Sequence, residues 1–254
     1  MKKQIGSIAK IEPILAVVVK DMDELFQLHG EMKACRLCLD AGHDIVPGAI
    51  FSSGTERRVM LIGQAPGVTE VEAQRPFNAT SGTRLFQWLG EAGWQEDDFR
   101  ARYYMTAVTK CYPGKAANGK GDRVPSKAEQ AMCRPFLEQE LALVNPRLVI
   151  LVGGLAIKLF YPARLKLRDV VGTAVYQPSP ATQGAANLFD LSAAEPVFVD
   201  SKGQLRKMYP GNGRFIVPIP HPSGASLWPN KPENKALISR AIAILAAIRQ
   251  TLAN

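Results

Sequence analysis

The run Val59-Met60-Leu61-Ile62-Gly63 constrains this chain more than any other stretch. It is apolar without alternation, the pattern of a strand buried on both faces, and such strands lie in parallel sheets covered by helices. Sheets of that kind bind ligands in the crevice beyond the carboxyl ends of their strands. The run ends at the small-residue loop Gly63-Gln64-Ala65-Pro66-Gly67, followed by Glu70, Glu72 and Phe77. A plain surface connection between strand and helix has the same look, so the loop needs partners elsewhere in the chain before it can be read as a site.

Three further segments read as strands: Tyr103 to Thr109, Arg147 to Gly153 and Arg214 to Pro220. In the last, Pro218 and Pro220 favour an edge position or an early end. Helical patterns lie between and around them. One covers about Asp21 to Ala41; another carries Leu85, Phe86, Trp88 and Leu89 behind the capping candidates Thr80 to Thr83, with its amino terminus directed at the crevice. A third starts at a Ser126/Glu129 capping box and runs to Val144, and Glu233 to Leu252 closes the chain. Alternating strands and helices imply an α/β fold with helices on both faces of a parallel sheet. The chain reads as one domain over residues 1–254, with an insertion at approximately 172–213 where periodicity gives way to Pro, Gly, Ala, Ser and Gln and one hairpin fits.

The four cysteines are Cys35, Cys38, Cys111 and Cys133. A Cys-x-x-Cys pair plus two distant single cysteines, with none left over and no secretory pattern, points to a four-thiolate site. Spacing alone admits either zinc or an iron–sulfur cluster. His43 follows the pair, as a ligand or as a solvated loop histidine. The chain has 31 Lys plus Arg against 23 Asp plus Glu, a net charge of +8. That balance suits a polyanionic partner as well as a merely basic surface. Lys115, Lys120 and Arg123, in the glycine-rich loop from Tyr112 to Pro125, could meet phosphates or simply be solvated. No apolar run is long enough for a bilayer, and the expectation is a cytoplasmic protein with no membrane partner.

Taken together, the Gly63 to Gly67 loop with Glu70 and Arg75-Pro76-Phe77, the segment Thr106 to Cys111, Cys133, and His221-Pro222-Ser223 resemble the uracil-DNA glycosylase superfamily, most of all its iron–sulfur branch, family 4. The resemblance covers most of the chain from Cys35 onward. It implies a three-layer α/β/α fold around a four-stranded parallel sheet, and a structural [4Fe-4S] cluster on Cys35, Cys38, Cys111 and Cys133. It implies an enzyme that flips uracil out of DNA and hydrolyses its N-glycosidic bond. In that scheme Phe77 stacks on the base, His221 and the backbone around Gln64 and Ala65 donate to it, and Glu70 orients the water. Gly63, Asn78, Ala107 and Ser223 would border the base, and Leu227 would wedge into the duplex, although Leu227 and Trp228 could instead pack on the final helix. The expected partners are uracil-containing DNA and abasic-site DNA, bound by a monomer.

The sequence departs from family 4 at Gln64, where that family has Glu, and at Ala107, where it has an Asn that reads the uracil edge; Ala65 also offers no carboxylate. Gln64 or Asn78 could supply the missing amide. Ala107 also keeps open a non-catalytic binder of damaged or abasic DNA. An electron-transfer or nucleotide-binding protein is disfavoured, because neither G-x-G-x-x-G nor G-x-x-x-x-G-K follows any strand pattern.

Overall fold

The computed structural model describes residues 5–119, 121–178, 188–223 and 228–253. In chain order the elements are α1 (Ile5–Ala34), α2 (Leu37–Asp40), β1 (Val59–Gly63), α3 (Val68–Ala73), α4 (Thr80–Glu91), α5 (Glu96–Arg102), β2 (Tyr104–Ala107), α6 (Lys127–Val144), β3 (Leu148–Val152), α7 (Gly154–Ile157), α8 (Leu167–Val170), β4 (Val175–Gln177), β5 (Glu195–Pro196), β6 (Arg214–Ile219) and α9 (Pro232–Ala253). A 3-10 turn, Trp228–Asn230, precedes α9. Among the described residues no helix is long and apolar enough to cross a membrane.

Six strands form one sheet in the order β2-β1-β3-β6-β4-β5. The first four are mutually parallel, and they are the four strand segments read from the sequence. β4 and β5 come from the 172–213 segment, where the sequence fits one hairpin, and extend the four-stranded parallel sheet to six strands as an antiparallel pair. That extension also places β6 inside the sheet and not at its edge, while the strand ends at Ile219, before Pro220. β4 pairs with β6 only at Arg214, Phe215 and Ile216, so Pro218 lies beyond that ladder, where its missing N–H leaves no partner unpaired.

Every residue of β1, β2, β3 and β6 is buried, as non-alternating apolar strands require. Their period-two alternation sorts side chains into two cores. Val59, Leu61, Ile150 and Val217 join Leu85 and Leu89 of α4 and Ile242 and Leu245 of α9 on one face. Met60, Ile62, Val149 and Ile216 join Leu28 and Met32 of α1 and Leu137 and Leu141 of α6 on the other. Each such aliphatic side chain contributes roughly 1.5–3 kcal/mol by leaving water, and the result is a three-layer α/β/α stack.

The register brings Gly63 level with Ala107, and Val152 level with Ile219. The segments leaving the four parallel strands therefore emerge on one rim. The helical pattern read over Asp21 to Ala41 is broken at Cys35 and Arg36, so the Cys-x-x-Cys pair straddles a junction between α1 and α2 instead of lying within one helix.

Candidate active site

On that rim lies an open cleft of about 1510 Å³. Gly63, Gln64, Ala65 and Glu70 border it from β1 and the loop that follows. Phe77, Ala107, His221 and Ser223 border it from the neighbouring segments, so eight of the expected site residues share one space. Asn78 is not on its border. Its side-chain oxygen accepts from Arg75 Nε and Nη2 at 3.1 and 2.8 Å, its backbone N–H donates to Glu70, and its amide is spent outside the cleft. Leu227 lies outside the described residues. Trp228 packs against the core on the α4 and α9 side.

Phe77 is held with unusual constraint. Its φ is +53°, left-handed backbone that non-glycine residues rarely adopt. Arg100, stacked on Phe86 with its charged group 4.2 Å from the ring centroid, donates at 2.7 Å to both the Pro76 and the Phe77 carbonyl oxygens. The Phe77 ring then lies over Gly63, where an added Cβ would meet the ring at 2.8 Å. The glycine that ends β1 is thus a requirement of aromatic placement. Arg100 sits on α5, a helix with no sequence signal that connects it with the site.

Glu70 is buried and takes hydrogen bonds at both oxygens. Oε2 accepts from the Gly67 N–H at 3.1 Å and the Thr69 hydroxyl at 3.2 Å; Oε1 accepts from the N–H groups of Asn78 at 2.9 Å and Ala79 at 3.4 Å. Ala79, not a Thr80 or Ser81 side chain, caps α4 and has no side-chain acceptor to offer. The Glu70 carboxylate instead accepts the N–H groups of Asn78 and Ala79, just before the first turn, and lies near the positive end of the helix.

His221 leaves the carboxyl end of β6, where burial lowers its pKa while the Glu70 charge opposes the shift. The ring is therefore neutral near pH 7. Its Nδ1 accepts the Ser223 N–H at 3.3 Å, which puts the proton on Nε2 and makes that nitrogen a donor. Gly153, at φ +87°, makes room for the ring: a Cβ there would come within 3.2 Å of it.

A second, smaller pocket has Cys35, Cys38, Cys111 and Cys133 on its border, with Met32, Ile45 and Phe136 among its apolar walls. Among the described residues no three His, Cys, Asp or Glu side chains converge as a site for a single metal ion. The four cysteines nevertheless border one pocket, and thiolates are donors that a zinc ion or an iron–sulfur cluster takes. Burial raises the Cys38 and Cys111 thiols to about 11 and raises Cys133 as well. Cys133 accepts the Lys110 N–H at 3.3 Å. His43 is not on this border; its Nδ1 faces Glu129 at 3.9 Å.

The long loop between β2 and α6 is anchored, not simply solvated. Arg123 grips Glu129 through both guanidinium nitrogens, at 2.7 and 2.5 Å, and reaches the Asp44 carbonyl at 2.9 Å. Arg123 is thus committed to structure and not free for phosphates. Together with the Ser126 capping box it holds the Glu129 carboxyl down at about 2. A depressed carboxyl contributes stability that is full above its unfolded pKa and is lost as pH falls toward the folded value. Thermal melts are therefore expected to show Glu129→Gln less stable than wild type at pH 7, with the gap narrowing as pH falls below about 4.3.

The fold agrees with comparisons to known proteins. Residues 51–246 match the model of the uracil DNA glycosylase superfamily. A type-4 uracil-DNA glycosylase of Pyrobaculum aerophilum is 32% identical over 136 residues, which is 53% of this chain and 63% of that protein. Type-4 uracil-DNA glycosylases of Thermotoga maritima and Sulfurisphaera tokodaii are 29% and 28% identical, over 54% and 52% of this chain and 67% and 56% of their own lengths. With the family match covering most of its length, the chain belongs to the uracil DNA glycosylase superfamily.

Proposed function

We propose that this chain flips uracil out of DNA and hydrolyses its N-glycosidic bond, leaving an abasic site. The observation that carries the reading is the meeting of a fixed aromatic ring, Phe77, with a neutral donor histidine, His221, on one open cleft. Extruding a base costs a few kcal/mol, and stacking on Phe77 would offset part of it. As the glycosidic bond breaks, negative charge grows on the uracil oxygens. His221 Nε2–H and the backbone N–H groups of Gln64 and Ala65 are the proposed donors to that charge. Glu70 keeps the Gly67 to Ala79 loop closed on itself and sets a negative charge beside the cation-like sugar. Ala107 presents a methyl group in the cleft, and with Asn78 engaged by Arg75, Gln64 is the amide we assign to reading the uracil edge.

Cys35, Cys38, Cys111 and Cys133 are the residues proposed to hold a [4Fe-4S] cluster. Such a cluster would tie the junction of α1 and α2 to the turn after β2 and to α6, a structural rather than chemical contribution. We read the chain as one domain, acting on uracil-containing DNA in the cytoplasm as a monomer.

The test is incubation of the purified protein with a duplex carrying one uracil, followed by alkali cleavage, gel shift on the product, and metal analysis. Strand scission with iron bound is expected. Retention of DNA without scission would favour a binder of damaged or abasic DNA, which the Ala107 methyl group keeps in play, and zinc in place of iron would remove the cluster.

A further inference from the structure

The proposed hydrolysis needs a carboxylate to take a proton from the attacking water, and the residue types at the family positions do not supply a free one. Gln64 carries an amide, and both Glu70 oxygens are engaged by four donors of their own loop. The loop between β2 and α6 brings in a second carboxylate. Asp122 borders the same cleft as His221 and Phe77. A Cβ added to Gly67 would lie 2.7 Å from Glu70 Oε2 and 2.8 Å from Asp122 Oδ2, so the two carboxylates face each other across the bare Cα of that glycine.

Asp122 is held from one side only. Its Oδ1 accepts the Tyr112 hydroxyl at 2.9 Å and lies 3.4 Å from Lys115 Nζ. Tyr112 is buried, so this hydroxyl contact is shielded from solvent and fixes the Asp122 carboxylate by its Oδ1. The backbone is pinned as well. Lys115 and Asp122 form an antiparallel bridge, and Arg123 is clamped to Glu129. Oδ2 is left with no hydrogen-bond donor among the described residues, in a side chain about one-third exposed and within reach of water.

We propose that Asp122, not Glu70, holds and deprotonates the nucleophilic water; this rests on the glycosylase reading above. In the step, one water proton passes to Asp122 Oδ2 while the water oxygen bonds to C1′ of the deoxyribose. The C1′–N1 bond breaks and its electron pair leaves with uracil, whose charge meets His221 Nε2–H. Uracil then takes up one proton, from the Asp122 carboxyl or from solvent, and the abasic sugar remains.

The experiment is single-turnover excision with excess protein on a uracil duplex, for wild type, Asp122→Asn, Asp122→Ala and Glu70→Gln. It runs alongside duplex binding, melting temperature and iron content. Asp122→Asn is expected to slow excision at least about 100-fold, as loss of a general base does, with duplex binding unchanged or tighter. The acidic limb of the pH–rate profile should vanish in this variant, and added formate should restore part of the rate to Asp122→Ala. Excision by Asp122→Asn at the wild-type rate and with the wild-type pH profile would overturn the assignment and leave the glycosylase reading standing. A wild type that binds the duplex but releases no uracil would overturn both.

Discussion

Replacing His221 with alanine is expected to slow uracil excision roughly 10²–10³-fold, equivalent to about 2.7–4 kcal/mol in the barrier, with little change in duplex affinity. The size follows from what the ring is arranged to do. Its proton sits on Nε2 because the Ser223 N–H occupies Nδ1, and burial keeps it uncharged, so it needs no change of protonation before it donates. The charge it would meet is absent in the bound substrate and develops only as the bond breaks. Losing the donor should therefore appear in rate rather than in binding. His221→Gln, which can place an N–H near the Nε2 position, is expected to recover part of the loss. Single-turnover rates and gel-shift affinities measured on the same duplex separate the two quantities. Equal losses in both would assign His221 to substrate binding instead.

What the sequence made legible follows from how locally each signal is encoded. The four parallel strands could be read because each is a short apolar run whose burial on both faces removes any alternation. Ser126 and Glu129 announced α6 because a capping box closes within four residues. The loop at Gly63 and the histidine at the end of β6 stood out because small residues and a lone His at strand ends are visible without tertiary information. β4 and β5 were not legible as sheet strands. They have three and two residues, and they become sheet strands only because β6 offers β4 a free flank and β4 in turn pairs with β5. The roles of Arg100 and Asp122 are not legible in the sequence for a related reason. A charged residue on a helix or in a glycine-rich loop reads as solvated, and only the folded chain shows that one grips the Phe77 backbone while the other faces Gly67. Asn78 failed in the opposite way. Its sequence neighbours Phe77 and Ala79 border the cleft, but Arg75, three residues before it, engages its amide oxygen.

The largest stability effect is expected at a buried charge pair between the two cavities. Lys110 Nζ lies 2.5 Å from Glu140 Oε2, and both side chains are almost wholly excluded from solvent. The ammonium also donates to the Thr106 hydroxyl at 2.8 Å and the Ala107 carbonyl at 2.6 Å. Glu140 Oε1 accepts from Tyr104 and Thr106. The contact at Oε2 itself is ionic and lacks the alignment of a hydrogen bond. Truncating one partner strands the other charge without water, and either Lys110→Met or Glu140→Leu alone is expected to cost about 3–5 kcal/mol. The double variant is expected to recover much of that, because two apolar side chains bury no charge. Recovery should be incomplete, since Tyr104 and Thr106 each lose an acceptor, at roughly 1–3 kcal/mol per unsatisfied group. Lys110 also touches both sites: its backbone N–H meets Cys133, and its ammonium holds the Ala107 carbonyl beside the cleft. If the cysteines hold the proposed cluster, the single variants should therefore lose iron and excision together. Denaturant melts of the two singles and the double form the required cycle. Additive single losses in the double variant would mean that the two charges do not stabilise each other, and that Lys110 and Glu140 are held by their hydroxyl and carbonyl partners alone.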